Sequence, residues 1–372
     1  CLFDSSLKPV WTKTIELTKN TYRIEDVVMD NNKNIYFNTL VKYPYNQDKI
    51  EHVIKSELYI YNQAPEKIDI EKGKYFPVSL KIKIENNKLI GAATVTDNAK
   101  EYFFRKDPDF DVTGNSYYIK GMHFFSIDPV SRKLKENHQS LLSQSFIEEN
   151  QNLKSKNTPD GLPAMQVKDV YYTDAAGYVA AMEHNSARLF IKTQYDEYSR
   201  NRIYESFDAI ENVSGNVLVM SLSADGKSNK VSSIKKYQTS VVDLNMKPMR
   251  IKTTNFYKIY LRTDYFGSAF FFDKGSLHVI FNDKPGNPEL RKAGNFDKME
   301  KFSKPDKGYI MVMATVDAKG TISEEILLSS TDKALKSIPM PTYLDQAYRN
   351  NLFTVFAGIE AKSFRLIRLK TN

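Results

Sequence analysis

The chain has 372 residues, with 53 Lys plus Arg against 45 Asp plus Glu, a net charge of +8. Hydrophobic residues make up 41% and aromatics 12%, which supplies a real core and excludes a disordered tail. The lone Cys excludes an internal disulfide framework and a Cys-based zinc site, and no apolar run approaches the ~18 residues of a membrane-spanning helix.

That lone Cys is Cys1, at the head of a chain without an initiator Met. A processed secretory protein looks like this. Bacterial lipoproteins are cleaved just before a Cys that is then acylated, and each buried lipid CH₂ contributes about 0.8 kcal/mol to anchoring. The expectation is a lipid anchor at Cys1, a tether over residues 1–9 and one domain over residues 10–372. The alternative is a chain boundary that falls on a Cys by chance.

Strand signals dominate the chain. Tyr (23) and Phe (22) are abundant, and Asn/Asp/Gly turns recur at short intervals. Residues 27–30 turn at Asn31-Asn32 into Ile35-Tyr36-Phe37. Residues 58–61 lead into Lys67-Ile68. Lys81-Ile82-Lys83-Ile84-Glu85 alternates strictly and turns at Asn86-Asn87 into residues 88–93. Asn tolerates φ > 0, so an Asn-Asn pair suits a two-residue hairpin. Residues 123–128 precede Arg132-Lys133-Leu134. Residues 170–172 turn at 174–177 into Tyr178-Val179-Ala180. Residues 217–222 precede Asp225-Gly226-Lys227. Residues 269–272 turn at Asp273-Lys274-Gly275 into 277–281. Residues 310–317 precede Lys319-Gly320, with apolar residues on both faces, the mark of a strand buried on two sides. Tyr343-Leu344 leads through 349–351 into 352–356, and residues 363–369 form a last strand.

Two hairpin types alternate in this order. The first-type turns fall near 31, 86, 174, 273 and 350, an irregular period. Two hairpins per repeat make four strands, the blade of a β-propeller. The fold class expected is all-β, a propeller of about five four-stranded blades, or six if a long insertion hides one. The last blade lacks its fourth strand. Trp11-Thr12-Lys13-Thr14-Ile15-Glu16-Leu17 offers a spare, so pairing of the N- and C-terminal strands is expected to close the ring and remove two open edges. Insertions near 98–120, 138–160, 185–210 and 282–307 are where function would sit. A short helix is expected within 141–153, and an extended hairpin or arm over 185–210.

This repeat resembles a set of secreted or lipid-anchored β-propeller proteins of Bacteroidota, mostly without assigned activity. The likeness lies in the Asp-x-x-Gly turns and the Tyr-rich insertion after the third first-type hairpin. It also lies in Val279-Ile280-Phe281-Asn282-Asp283 and in the closing residues 356–366. It implies a propeller fold and an envelope location, and transfers no catalytic residue. Proteins of this type are similar to accessory subunits of outer-membrane nutrient-uptake, gliding and secretion assemblies, an analogy at the level of fold.

Candidate chemistry is sparse. Asp107, Asp109 and Asp111 sit at alternate positions and could converge on Ca²⁺. The run departs from an EF-hand loop, with Val112 where Gly is needed and Tyr118 where a bidentate Glu is needed. The five histidines, His52, His123, His138, His184 and His278, form no H-x-x-x-H or H-x-H pair. No G-x-S-x-G elbow, Walker loop or dinucleotide fingerprint occurs. Glu148-Glu149 and Glu324-Glu325, read as strand neighbours, point to opposite faces and make no acid/base couple. Asp128, Asp225 and Asp317 end equivalent strands and are expected to form turns. Tyr195, Tyr198, Arg200, Arg202 and Tyr204 form the one segment where cations interleave with aromatics. No cofactor and no nucleic acid is expected. The reading is a non-enzymatic lipoprotein of the bacterial outer membrane, whose insertions contact a protein partner through that segment and whose Cys1 holds the bilayer. The alternative is a carbohydrate-binding or carbohydrate-active propeller using its central face.

Overall fold

A computed structural model describes every residue except 1, 4–5, 12–13, 15, 18–20, 47–50, 63, 98–99, 103–109, 112–117, 151–160, 164, 193–206, 245–265, 304–307, 332–337, 350–351, 360–362 and 371–372. The chain opens with β1 (Leu2–Phe3) and β2 (Pro9–Trp11), which pair with each other. Sheet I is the antiparallel meander β3 (Thr21–Met29), β4 (Ile35–Asn46), β5 (Glu51–Asn62) and β6 (Ala64–Ile68). β7 (Phe76–Glu85) and β8 (Lys88–Thr96) begin sheet II. Three short strands interrupt it: β9 (Lys100–Tyr102), β10 (Phe110–Asp111) and β11 (Tyr118–Ile119). β12 (Gly121–Ile127) and β13 (Leu134–Leu141) complete it. Helix α1 (Gln144–Asn150) and β14 (Leu162–Pro163), paired with β11, lead to sheet III.

Sheet III is β15 (Met165–Thr173), β16 (Gly177–Lys192), β17 (Phe207–Leu222) and β18 (Asn229–Ile234), followed by β19 (Gln238–Leu244). Sheet IV is β20 (Ser268–Asp273), β21 (Ser276–Asp283), β22 (Ile310–Val316) and β23 (Ile322–Ser329). Between β21 and β22 lies α2 (Asn287–Lys292). Sheet V has three strands, β24 (Ile338–Arg349), β25 (Leu352–Ile359) and β26 (Ser363–Lys370). Every hairpin read from the sequence is present, and the fold is mostly β, with four-strand meanders consistent with propeller blades.

The turns form for local reasons. Asn86 and Asn87 adopt φ of 50° and 56°, as a two-residue hairpin requires. The Asp128 carboxylate accepts the N–H groups of Val130 and Ser131. Asp225 accepts the N–H of Lys227, and Asp317 those of Lys319 and Thr321. Each of these exposed carboxyls is held below the usual carboxylate range, chiefly by those bonds and, for Asp225, first by Ser223 Oγ. The expected turn role of all three is what the structure shows.

Alternation along the middle strands deals side chains to two different neighbours. Tyr36, Leu58 and Ile60 of sheet I pack with Leu80, Ile82, Leu89 and Phe125 of sheet II. Phe37, Tyr59 and Tyr61 face the other way. Ile90, Ala92, Met122 and Phe124 of sheet II meet Tyr178, Ala180, Leu218 and Met220 of sheet III. Val179, Ala181, Val217 and Val219 meet Val279, Phe281, Val312 and Ala314 of sheet IV. Ile280, Met311 and Met313 form the far face of sheet IV, and β24 lies against β20 and β21. Each fully buried side chain contributes about 1.5–3 kcal/mol, so the sheets are held face to face. The first strands β3, β7, β15, β20 and β24 neighbour one another in that order.

Two expectations need correction. Closure by the N-terminal segment is not seen: Thr14, Glu16 and Leu17 lie outside any strand, and β26 pairs only with β25 among the described residues. The alternation at Trp11–Leu17 is genuine, but Leu17 finds its apolar partners on sheet I, against Phe37, Tyr59 and Tyr61. The pair Glu148-Glu149 lies on helix α1 rather than on a strand. Ser143 Oγ accepts the N–H of Phe146 there, and Ile147 is buried, which together select helix.

Gly91 of sheet II sits in a close approach. Gly91 pairs across from Phe125, and a Cβ on it would lie 2.1 Å from Phe125 Cζ. Gly91→Ala is expected to destabilise the protein by about 1–3 kcal/mol through overpacking, read as a lowered denaturation midpoint. An unchanged midpoint would contradict this packing.

Candidate functional site

The two ends of the stacked sheets differ. First-to-second and third-to-fourth strand turns are tight and share one end. There the N–H of Asn31 donates to Asn87 Oδ1, and Asn34 Nδ2 donates to Pro129 O. The other end carries every long connection, including all four insertions expected from the sequence.

At that end the second and third strands outgrow their blades. β16 pairs with β15 as far as His184, where the register shifts; beyond it, Arg188 and Leu189 pair with β10. β17 pairs with β18 over 217–222 and with β19 over 208–214. The β16–β17 hairpin is therefore the stem of an arm with its own flanking strands. β4 and β5 extend likewise, and β9 joins the start of β5. Strands β9 and β10 belong to one insertion of sheet II, which thus reaches an arm on each side.

A buried polar hub sits where sheet III changes from blade to arm. The Lys236 ammonium, 0% exposed, donates to Ser214 Oγ and Ser268 Oγ at 2.9 Å, to Gln238 Oε1 at 3.2 Å and to the Glu183 carboxylate. Glu183, 2% exposed, also accepts from the hydroxyls of Ser268 and Ser214. Burial alone would raise the Glu183 pKa, but the Lys236 and Lys168 charges and these bonds hold it at about 2. Burial lowers the Lys236 pKa against the opposing pull of Glu183. Every group in the hub is satisfied by another, so it locks the base of the arm to β20 and leaves no base free for a substrate.

A second hub stands by the same Phe281 ring, whose centroid is 5.7 Å from Lys236 Nζ and 5.4 Å from Arg291 Cζ. Arg291 of α2 grips Glu324 with Nε and Nη2 at 2.6 and 2.8 Å, and Asp283 with Nη1 at 2.5 Å. Asn287 Nδ2 donates to Asp283 Oδ1 at 2.6 Å. Phe302, from the same insertion, bonds through its backbone with Tyr237 and Thr239 at the root of β19. Lys235 Nζ donates to Glu149 O and Asn150 Oδ1 of α1. Two insertions, 138–160 and 282–307, are thereby tied to residues 235–239. Along the first strands Lys81 pairs with Asp26, and Lys83 lies 3.9 Å above the Tyr171 ring and near Glu85 and Asp169.

Of the residues singled out from the sequence, Cys1, Asp107, Asp109, Tyr195, Tyr198, Arg200, Arg202 and Tyr204 lie outside the described residues. Asp111 is in β10, paired with Arg188. The five tyrosines and arginines belong to the tip between β16 and β17 in sequence. His123 is buried in β12 and His278 stacks on Phe271 at 4.5 Å, both with pKa values lowered by burial. No group of three metal-ligating side chains occurs among the described residues. Sequence reasoning missed Glu183, Lys236, Ser268, Asp283 and Arg291. The available signal was polar residues placed directly after apolar strand runs, as at Lys235-Lys236 after Ile234 and Asn282-Asp283 after Phe281.

At the tight-turn end a cleft of about 740 Å³, counting its open mouth, separates sheets III and IV. Ser221, Ser223, Ser228 and Ser232 line it above Val219 and Phe272, with Lys230 and Asp317 as its charges.

Lys236→Met leaves the buried Glu183 carboxylate with the more distant Lys168, at 3.8 Å, as its remaining counter-charge, a loss of about 3–5 kcal/mol in denaturation experiments. The folded-state pKa of Glu183 lies below its ordinary 4.5, so its stabilisation is present above that value and is lost as the pH falls toward about 2. In the variant burial raises the Glu183 pKa against less opposing charge, so this acid-linked loss should shrink or reverse and the stability gap to the parent should narrow as the pH falls; a gap that does not change with pH would contradict the hub.

No protein-family model matches the chain, and no curated protein matches it. Distant likeness to solved structures exists. The polysaccharide lyase Uly1 is 8% identical over 93% of this chain and 57% of its own, with a TM-score of 0.36. This chain therefore spans little more than half the length of that lyase. A protein of unknown function from Dyadobacter fermentans is 11% identical over 92% of each chain, with a TM-score of 0.25. The β-propeller domain of the Trilobed protease from Pyrococcus furiosus is 9% identical over 95% of this chain and 97% of that one, with a TM-score of 0.19. Likeness at this distance says nothing of activity, and the propeller-like reading rests on the sheets themselves.

Proposed function

We propose that the chain is a non-enzymatic scaffold, a five-bladed propeller whose insertion end binds a protein partner in an outer-membrane complex. The observation that carries this reading is that all the long connections leave the sheets at one end. Their bases are tied down there by the Lys236 and Arg291 hubs, while the opposite end is trimmed to tight turns. Fixed bases with projecting arms present a pre-organised surface, which lowers the entropic cost of association. The polar groups at those bases are committed to one another, which favours binding over catalysis. Anchoring through acylated Cys1 belongs to the same proposal, and the mass of the Cys1-containing peptide from native membranes tests it.

A serine-lined cleft with Phe272 in its wall favours a second reading, carbohydrate binding, although the site is between two sheets rather than on the central face. A glycan panel without any binding would remove that reading.

Replacing 193–206, the tip that holds Tyr195, Tyr198, Arg200, Arg202 and Tyr204, by a short Gly-Ser turn tests the first reading. Co-purification of envelope partners with the native protein should be lost, while the denaturation midpoint stays within about 0.5 kcal/mol of the parent. Undiminished partner capture would contradict the role of the arm.

A further inference from the structure

We propose that the cleft between sheets III and IV at the tight-turn end is a binding site for a single uncharged pyranose residue. This rests on the carbohydrate reading above and names the ring that fills the site. Two interfaces of the stack are equivalent residue by residue. Counted from the tight turns, Ser126 opposite Glu136 in sheet II corresponds to Ser221 opposite Lys230 in sheet III. Phe124 opposite His138 corresponds to Val219 opposite Ser232. On the sheets that face them, Tyr172 opposite Tyr178 corresponds to Phe272 opposite Leu277. The turns agree as well, since Gly226 closes on the His138 ring and Gly320 on Ser232 Oγ.

Between sheets II and III this place is filled. The Tyr178 ring, fully buried, lies 5.6 Å from the Phe124 ring and 4.9 Å from Tyr172, edge to face. Its hydroxyl donates to the Glu136 carboxylate, which also accepts from Ser126 Oγ. Between sheets III and IV each large group has a smaller counterpart: Val219 for Phe124, Ser232 for His138 and Leu277 for Tyr178. These three exchanges account for the cleft of about 740 Å³, counting its open mouth.

Groups that hold the Tyr178 ring persist beside the cleft. Phe272 keeps the place of Tyr172 and is backed by Tyr171, with ring centroids 5.3 Å apart. Ser221 keeps the place of Ser126. The filled interface therefore displays the shape that fits: a six-membered ring with a hydroxyl directed at the third and fourth strands. The cleft itself is more polar, with Ser221, Ser223, Ser228 and Ser232, the Lys230 ammonium and the Asp317 carboxylate along its lining. Lys230 Nζ donates to Ala318 O at 3.0 Å and Ser232 Oγ to Gly320 O at 2.7 Å, which fixes both at the wall. An ammonium has donors beyond one such bond, and a donating hydroxyl still accepts. A phenol would engage one of these groups, whereas a pyranose carries hydroxyls around its ring and engages several. One cation and one anion cancel, which selects an uncharged sugar.

The test uses the full chain with methyl β-D-glucopyranoside, methyl β-D-galactopyranoside and methyl α-D-mannopyranoside, beside p-cresol, in saturation-transfer NMR. At least one glycoside should bind saturably. Leu277→Tyr supplies the ring found at Tyr178 and should abolish that binding, with a denaturation midpoint no lower than the parent's. Lys230→Met, at an exposed position, should weaken binding about ten-fold without moving the midpoint, and reads the site even where Leu277→Tyr does not fold. Binding undiminished in either folded variant would overturn the proposal, as would binding of p-cresol and of no glycoside. Glycan binding that survives Leu277→Tyr removes this cleft and leaves the carbohydrate reading, whereas a glycan panel without binding removes both.

Discussion

The structure depends on the middle strands being buried on both faces. Tyr36 and Phe37 are adjacent, yet one packs toward sheet II and the other away from it. The same split separates Val179 from Ala180 and Val279 from Ile280. A strand of this kind cannot end a stack, because one face would meet water. Sheets II, III and IV each have a neighbour on either side, and the order of sheets along the chain is there the order in space. The small residues Gly91, Ala92 and Ala93 show how closely this is tuned, since Phe125 occupies the room that a side chain at 91 would take.

Beyond its blade β16 changes partners. That happens at the register shift near His184, where β16 leaves β15 and takes β10 as its partner. The Lys236 hub lies there, and it is costly to bury, because two charges leave water. Its return is geometric: five side chains from β16, β17, β18–β19 and β20 hold the root of the arm in one direction. The Arg291 hub does the same for the insertion of sheet IV.

Much of this architecture is local and could be read in the sequence. Asn86-Asn87, Asp225-Gly226 and Asp317 with Gly320 announce turns by their own chemistry, and the alternation around them sets the strands. Non-local pairings could not be read. Nothing in residues 98–120 says that one short strand joins sheet I and another sheet III. The partners in the Lys236–Glu183 bond lie 53 residues apart, and neither stands in a motif. The N-terminal alternation did not say what it packs against: among the described residues Leu17 lies on Phe37, Tyr59 and Tyr61, and closure is not seen. The turn role of Asp128, by contrast, needed only its next three residues.

The central claim is that the insertion end, and not the tight-turn end, meets the partner. Cross-linking mass spectrometry of the native protein in its envelope tests it, because lysines mark both ends. Lys100 in β9, Lys192 at the end of β16, and Lys298 and Lys301 after α2 mark the insertion end. Lys33, Lys133, Lys227, Lys274 and Lys319 are exposed on the tight turns. The account predicts that cross-links to other proteins gather on the first set and spare the second. Cross-links gathered on the tight-turn lysines would contradict it.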